Sequence, residues 1–274
     1  MSIDLSRLPA PVVVEPLDYE TILEELKTRF TGKWPSYSDE PHDPMTKALE
    51  VFALRELMLR QRVNDAAKAV MLAHAMDEDL DNLVSFFNIE RLEDEGNERL
   101  RARAQLSMEG LSNAGTRGSY RYHTLSSSPL VRDCFVEKAA PGVVRITVLS
   151  TQYNGQASAA LLGTVTQKIS ADDVRALCDT LEVQSAEIIE LNLAVDLLIK
   201  AGPDPEWVKD LSGAQITDYF TSKTLGQGVT LSGIYAAAHI EGVFRVGLDL
   251  SSDLILLKTQ AVYLKSLSIT YQVI

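Results

Sequence analysis

The 274 residues are 46% hydrophobic and 23% charged, enough apolar content for one large core or two to three small domains. A net charge of −12 argues against nucleic acid or an anionic membrane as the main partner, because both attract a basic face. No apolar run approaches a membrane span and the first residues lack a secretion-signal pattern. Two cysteines, Cys134 and Cys178, suggest a reducing compartment without a disulfide framework.

Residues 1–17, punctuated by prolines, read as an extended arm. A helix starts near Asp18, with Ile22, Leu23, Leu26 and Phe30 at helical spacing. Residues 31–44 hold three prolines and a glycine and read as a loop.

The most regular segment runs from about Pro44 to Ala75. Steps of four and three give Met45, Leu49, Phe52, Glu56, Leu59, Val63, Ala66, Val70 and Ala73, apolar at eight of nine positions. That spacing is a heptad seam, which keeps one stripe facing another helix of the same chain or of a neighbour. At ~1.5 Å per residue it predicts a helix of roughly 45 Å. Its eight apolar residues, Met45, Leu49, Phe52, Leu59, Val63, Ala66, Val70 and Ala73, are the candidate helix-bundle interface.

Leu80, Leu83, Val84 and Phe87 mark the buried face of the next helix, and helices are expected over 97–111 and from Thr116 to before Pro129. Residues 18–111 thus form a helical region. After Pro129 the period changes. VRDCFVEKAAPGVVRITVLS reads as two strands about the Pro141-Gly142 turn, ASAALLGTVTQKI as a helix, and Leu191, Leu193, Val195 and Leu197 alternate as a strand. Pro203 and Pro205 open a helix to about Lys223, and LSGIYAAAHI is another. VFRVGLDL, LILL and YLKSLSITYQVI read as strands. The class is α+β: a long-helix bundle followed by two α/β modules, 112–190 and 191–274, with small mixed or antiparallel sheets. SYRYHTLSSSPLVRDCFVE and GIYAAAHIEGVFRVGLDL share a helix–break–strand order, an internal echo that fits two related modules.

Chemical motifs are weak. Asp77, Asp79 and Asp81 alternate as in a calcium loop, but Asn82 and Asn88 stand where glycine and a bidentate glutamate are needed. His74 has no His or Cys at zinc spacing. The expectation is a helix joint, with Asp77 or Asp79 as N-cap and the other acids favoured by the helix dipole. Cys134 and Cys178 both read as small core residues, and His123 and His239 as structural. GTRGS and GQG are turn glycines rather than phosphate cradles. No catalytic, cofactor-binding or metal-binding residue is assigned.

Taken together, several stretches resemble the baseplate J-like proteins of contractile-tailed bacteriophages. Leu8-Pro9-Ala10-Pro11 and Leu17-Asp18-Tyr19-Glu20 are similar to the family's start. Asp79-Leu80-Asp81-Asn82-Leu83 and Arg91 fall on its D-L-D-x-L turn and the arginine beyond it. AGTRGSYRYHTLS resembles its G-[ST]-R-x-x-Y-x-x-H segment, and LSGIYAAAHIEGVFRVGL its second helix–strand unit. Where members often carry V-R-P-x-x-D, this chain has Ala176 in place of the proline.

The resemblance implies a structural, non-enzymatic component of the baseplate wedge of a phage tail or tailocin, assembled in the host cytoplasm and located in the virion, without cofactors. Its N-terminal helices would bundle with wedge partners: a second copy of itself, a tail protein I-like chain and a small lysozyme-like wedge protein. Its C-terminal modules would join neighbouring wedges in a ring around the central hub, rearranging on sheath contraction. The rival reading is a soluble α+β enzyme or small-ligand-binding protein.

Overall fold

A computed structural model describes residues 5–9, 16–112 and 114–274. The expected extended arm lies for the most part outside the described residues; within it Leu5–Arg7 make one 3-10 turn. The chain divides into two compact units, residues 1–91 with 96–105, and residues 92–95 with 106–274.

The first unit holds α1 (Tyr19–Lys33), α2 (Pro44–Ala69), α3 (Asp77–Ser85) and the start of α4 (Asn97–Gly110). Asp18 caps α1, its carboxylate accepting from the N–H of Glu20 at 3.1 Å. Asp43 caps α2, accepting from Met45 N–H at 2.7 Å, and Pro44 takes the first-turn position where a missing N–H costs nothing. Ile22 and Leu23 of α1 bury against Leu49 and Ala53 of α2, with Phe30 and Tyr37 meeting edge to face at 5.1 Å. The loop expected from residue 31 starts later, because α1 runs on through Gly32 to Lys33.

α2 stops at Ala69, not near Ala75, so its 26 residues span about 39 Å. Val70 and Ala73, the last two seam positions, leave the helix. The reason lies in α4. Leu72 and Ala75 turn inward to join Leu80, Val84, Ile89, Leu100 and Ala104 in a second small core. The carbonyls that the broken helix frees accept from the buried Arg101 guanidinium, Leu72 at 2.6 Å and Ala75 at 2.7 Å.

At the start of α3 the N-cap is Met76, with no side-chain cap bond, so neither Asp77 nor Asp79 caps it. Asp77 instead sits at φ 44° and exchanges hydrogen bonds with Asn97: its N–H donates to Oδ1 at 3.3 Å and its carboxylate accepts from Nδ2 at 3.1 Å. The first-turn acids remain where the helix dipole favours them. Phe87, expected on the buried face, is exposed because α3 ends at Ser85 and the chain turns at Asn88, φ 57°.

The second unit is α+β. It contains α5 (Arg117–Leu125), β1 (Val131–Ala140), β2 (Val143–Ser150), α6 (Ala159–Ile169), β3 (Thr180–Ser185), β4 (Glu187–Ile199), α7 (Pro205–Thr221), α8 (Leu231–Ala238), β5 (Val243–Leu248) and β6 (Gln260–Val273). Two three-stranded sheets have the orders β1-β2-β3 and β5-β4-β6. In each, the central strand has one antiparallel and one parallel neighbour. The echoed segments, α5–β1 and α8–β5, take the same place in the two sheets: a short helix followed by the antiparallel edge strand. The chain passes from one sheet to the other at Ala186. LILL is not a strand; only Leu254 bridges, to Val229, while Ile255 and Leu257 face solvent.

β4 carries the alternation that the sequence shows, with Leu193, Val195, Leu197 and Ile199 buried beneath Val208, Ile216 and Phe220 of α7 and Ile234 of α8. Tyr120, Cys134, Ile146, Val148 and Val165 fill the other core. Cys178, read as a core residue, is exposed, because it lies in the loop before β3 rather than in a helix.

Candidate partner interface

α2 leaves more than one line of large apolar side chains in solvent. Its packing against α1 buries Leu49 and Ala53, one flank of the helix only, and Thr46 beside them meets the hydroxyl of Tyr37 in the loop before α2. Of the seam, Leu49 is buried, while Phe52, Leu59 and Val63 each leave more than half of their surface in solvent, Met45 nearly half, and Ala66 is also exposed. Val70, beyond the helix, is exposed and Ala73 half-buried. A second stripe escaped the heptad count: Val51, Leu54 and Met58 are exposed around the helix from the first. Spacing of three and four is its signal, but it runs for barely two turns. Single exposed leucines are ordinary, whereas two exposed apolar stripes on one helix make it the candidate surface for a partner. Glu56, the polar seam position, is held by Arg60 one turn on, Nε to Oε1 at 3.1 Å.

The residues on which the family resemblance rests are brought together by the fold. Arg91 Nε donates to Asp81 at 2.8 Å, and its Nη2 reaches Asn97 Oδ1 at 2.9 Å and the Asp77 carbonyl at 3.3 Å. The acid cluster is therefore the lock of a helix joint. Among the described residues no group of three or more His, Cys, Asp or Glu is placed to hold a metal ion.

A second lock sits in the other unit. Gly115 has φ 67°, and a Cβ there would come within 2.6 Å of the Asp179 carboxylate. Thr116 caps α5, accepting from Ser119 N–H at 3.1 Å. The fully buried Tyr120 donates its hydroxyl to Asp179 at 2.8 Å and accepts from Ala176 N–H at 3.2 Å. Burial, first, and the adjacent carboxylate push its phenol up to about 12. His123 Nε2 lies 3.2 Å from the Gly110 carbonyl, and burial lowers its pKa. Gly110 packs beneath the Tyr122 ring where any side chain would collide. Cys134 is buried, and burial raises its thiol to about 12, so it is not a nucleophile.

The two modules join through Asp133. This buried carboxylate accepts from Arg121 Nη2 at 2.7 Å, from Cys134 N–H at 2.8 Å and from Leu225 N–H at 3.2 Å. Arg132 reaches the same segment of the second module, donating to the carbonyls of Thr221 and of Lys223. Beside this joint lies a groove of about 410 Å³, lined without a single His, Cys or carboxylate.

Residues 42–94, which contain α2, α3 and Arg91, match the Baseplate J-like N-terminal domain family. The chain is also 40% identical to Baseplate protein J of Escherichia phage P2, over 94% of this chain and 94% of that protein. The chain belongs to the baseplate J family. This J-family chain is a structural protein of the phage tail baseplate, placed in the virion, and not an enzyme. As a baseplate component it acts in association with other baseplate proteins. The family match falls on the helix with the two exposed stripes, and no described helix is long and apolar enough to cross a membrane.

Proposed function

We propose that this J-family chain is a wedge component of a contractile tail, working by a division of labour along its length. Residues 18–111 bundle with wedge partners: a second copy, a tail protein I-like chain and a small lysozyme-like chain. Residues 112–190 and 191–274 join neighbouring wedges in a ring around the hub, which rearranges as the sheath contracts. The observation that carries the reading is the pair of apolar stripes on α2. Among the described residues α1 covers the neighbouring line through Leu49 and Ala53 and leaves both stripes exposed, a surface for other helices to cover. Heptad spacing suits helical partners. A ring needs heterologous contacts, and two modules with the same strand arrangement but separate faces supply non-identical surfaces.

Two experiments test it. A full-length chain carrying Phe52→Asp and Met58→Asp, one on each stripe, is expected to fold and to lose its wedge partners in pull-downs. Retention of every partner would end the reading. Truncation after Leu111 is expected to leave partner binding and abolish rings in electron micrographs; rings built by the fragment would refute the division of labour.

A further inference from the structure

Three of the four sheet edges in the second unit are blunted. β5 is six residues long, carries Arg245 and borders a register break. β3 has six residues and Glu182. β1 carries Arg132, Asp133, Glu137 and Lys138 and two register breaks. Short, charged or bulged edges resist the addition of a strand. β6 differs. It is a fourteen-residue edge strand whose one charge, Lys265, sits on a bulge opposite the Leu191–Asn192 step and pairs with Glu190. Beyond the bulge, Ser266 to Val273 pair without interruption with Asn192 to Ile199. That run, SLSITYQV, has no charge, proline or glycine. Among the described residues no strand lies on its outer edge.

The direction of the backbone groups follows from Ile274. Its N–H donates to Ile199 O at 2.9 Å and its carbonyl accepts from Ala201 N–H at 2.7 Å. With a period of two, even-numbered residues turn their amides towards β4, and Leu267, Ile269, Tyr271 and Val273 turn theirs outward. The same four side chains lie on the helix-covered face, opposite Leu193, Val195, Leu197 and Ile199. They are covered incompletely: none is fully buried, and Val273 is 50% exposed.

We propose that β6 is a self-pairing edge, to which the β6 of a second copy adds antiparallel about a two-fold axis near Thr270, joining two three-stranded sheets into one of six strands. This rests on the reading of a second copy as a wedge partner and adds, to the bundle made by residues 18–111, a second contact with that copy through the 191–274 module. The strand is complementary to itself. Antiparallel pairing about Thr270 sets Ile269 against the other copy's Tyr271 and Leu267 against its Val273, all on the apolar face and all with outward amides. Ser268 then meets Gln272 on the polar face, and no two charges oppose. Aromatic with β-branched pairs are favourable cross-strand neighbours, and a two-fold contact of one patch with itself closes at two copies.

The test is sedimentation equilibrium of the full chain over a range of concentrations. Wild type is expected to dimerise. Ser268→Lys with Gln272→Lys places like charges face to face while the side chains point to solvent, and is expected to weaken dimerisation by at least about tenfold, or ~1.4 kcal/mol, with an unchanged far-ultraviolet spectrum. Mixing it with Ser268→Glu/Gln272→Glu is expected to restore a heterodimer, which a merely damaged sheet would not do. A monomeric wild type, or a lysine variant that dimerises like wild type, overturns the proposal. Val63→Asp separates the two readings. A dimer lost in that variant but kept in the lysine variant belongs to α2, so the β6 proposal falls and the wedge reading stands. A wild type that stays monomeric while the lysine variant loses a different wedge chain assigns the edge to that chain and also overturns self-pairing.

Discussion

Asp133 accepts a hydrogen bond from the backbone N–H of Leu225 at 3.2 Å, across 92 residues of chain and from one α/β module to the other. The same carboxylate is paired with Arg121 and bonded to its own neighbour's amide, so three donors converge on one buried side chain. Asp133→Ala is expected to destabilise the chain by about 3 kcal/mol, since it strands donors at a buried site; the partial exposure of Arg121 keeps the loss towards the low end of the buried-pair range. Urea denaturation measures this, and hydrogen exchange at Leu225 N–H is expected to accelerate. A loss below about 1 kcal/mol with unchanged exchange would contradict the joint.

Arg101 serves a comparable purpose in the first unit, with two donors on two carbonyls that the end of α2 leaves open. Lysine carries the charge but not the planar fork. Arg101→Lys is therefore expected to cost about 2 kcal/mol and Arg101→Met about 3 kcal/mol, by the loss of bonds to otherwise unpaired buried acceptors. Thermal melts of both variants check the order. Equal melting of Arg101→Lys and wild type would show that charge alone suffices there.

These two residues also explain what could and could not be read from the letters. Local grammar was legible: helix starts near Asp18 and Pro44, Pro141-Gly142 as a turn, the alternation through Leu193, Val195 and Leu197, and the α+β order itself. Each depends on neighbours a few positions away. The end of α2 was not legible, because the donor that stabilises the broken turn lies 29 residues beyond Leu72. The seam was visible as a periodicity, but periodicity does not name the partner. Within the chain α1 takes the neighbouring line through Leu49 and Ala53, and most of the seam is left outward. Exposure of Cys178 was hidden because VRALCDTL has helical spacing, yet the loop it forms is fixed by Tyr120, 56 residues upstream of Ala176.

That loop yields a double-mutant cycle. The family pattern carries proline where this chain has Ala176, and proline has no N–H to give Tyr120. Ala176→Pro is expected to cost about 1 kcal/mol in the wild-type background, the worth of one hydrogen bond less the entropy that proline removes from the unfolded chain. In a Tyr120→Phe background, where the acceptor is already gone, it is expected to be neutral or slightly stabilising. Equal costs in both backgrounds, by chemical denaturation, would mean that the 3.2 Å contact contributes nothing.

His123 gives the pH dependence. Burial first, and Lys168 as well, lower its pKa below the ordinary 6.5, against the opposing pull of the Gly110 carbonyl and Asp173. With the folded value depressed, the unfolded chain binds the extra proton first. Its stability is therefore complete above pH 6.5 and declines as pH falls through the folded value. Urea midpoints are expected to fall on acidification from pH 7 towards about 5, above the range where carboxylates titrate. His123→Gln is expected to flatten that slope, keeping a donor for Gly110 without a titrating ring. An identical slope in the variant would place the proton elsewhere.

The α2 stripes separate stability from assembly. A carboxylate at a position buried within the chain would cost several kcal/mol, and Leu49→Asp, against Ile22 and Leu23, is expected to unfold the first unit. Val63 belongs to the same heptad register but leaves 53% of its surface in water. In the isolated chain Val63→Asp therefore replaces one solvated side chain with another, and its cost is expected within about 0.5 kcal/mol. In an assembled baseplate the same carboxylate would be sealed among apolar side chains, where an unpaired charge is expelled or forced to take up a proton. The expected pattern is a normal melt for the purified variant together with failure to join wedge partners. Val63→Leu, which keeps the stripe apolar, is expected to assemble. If Val63→Asp melts normally and also assembles normally, the stripe faces solvent in the virion. If it melts like Leu49→Asp, α2 packs within the chain and has no seam left for a neighbour.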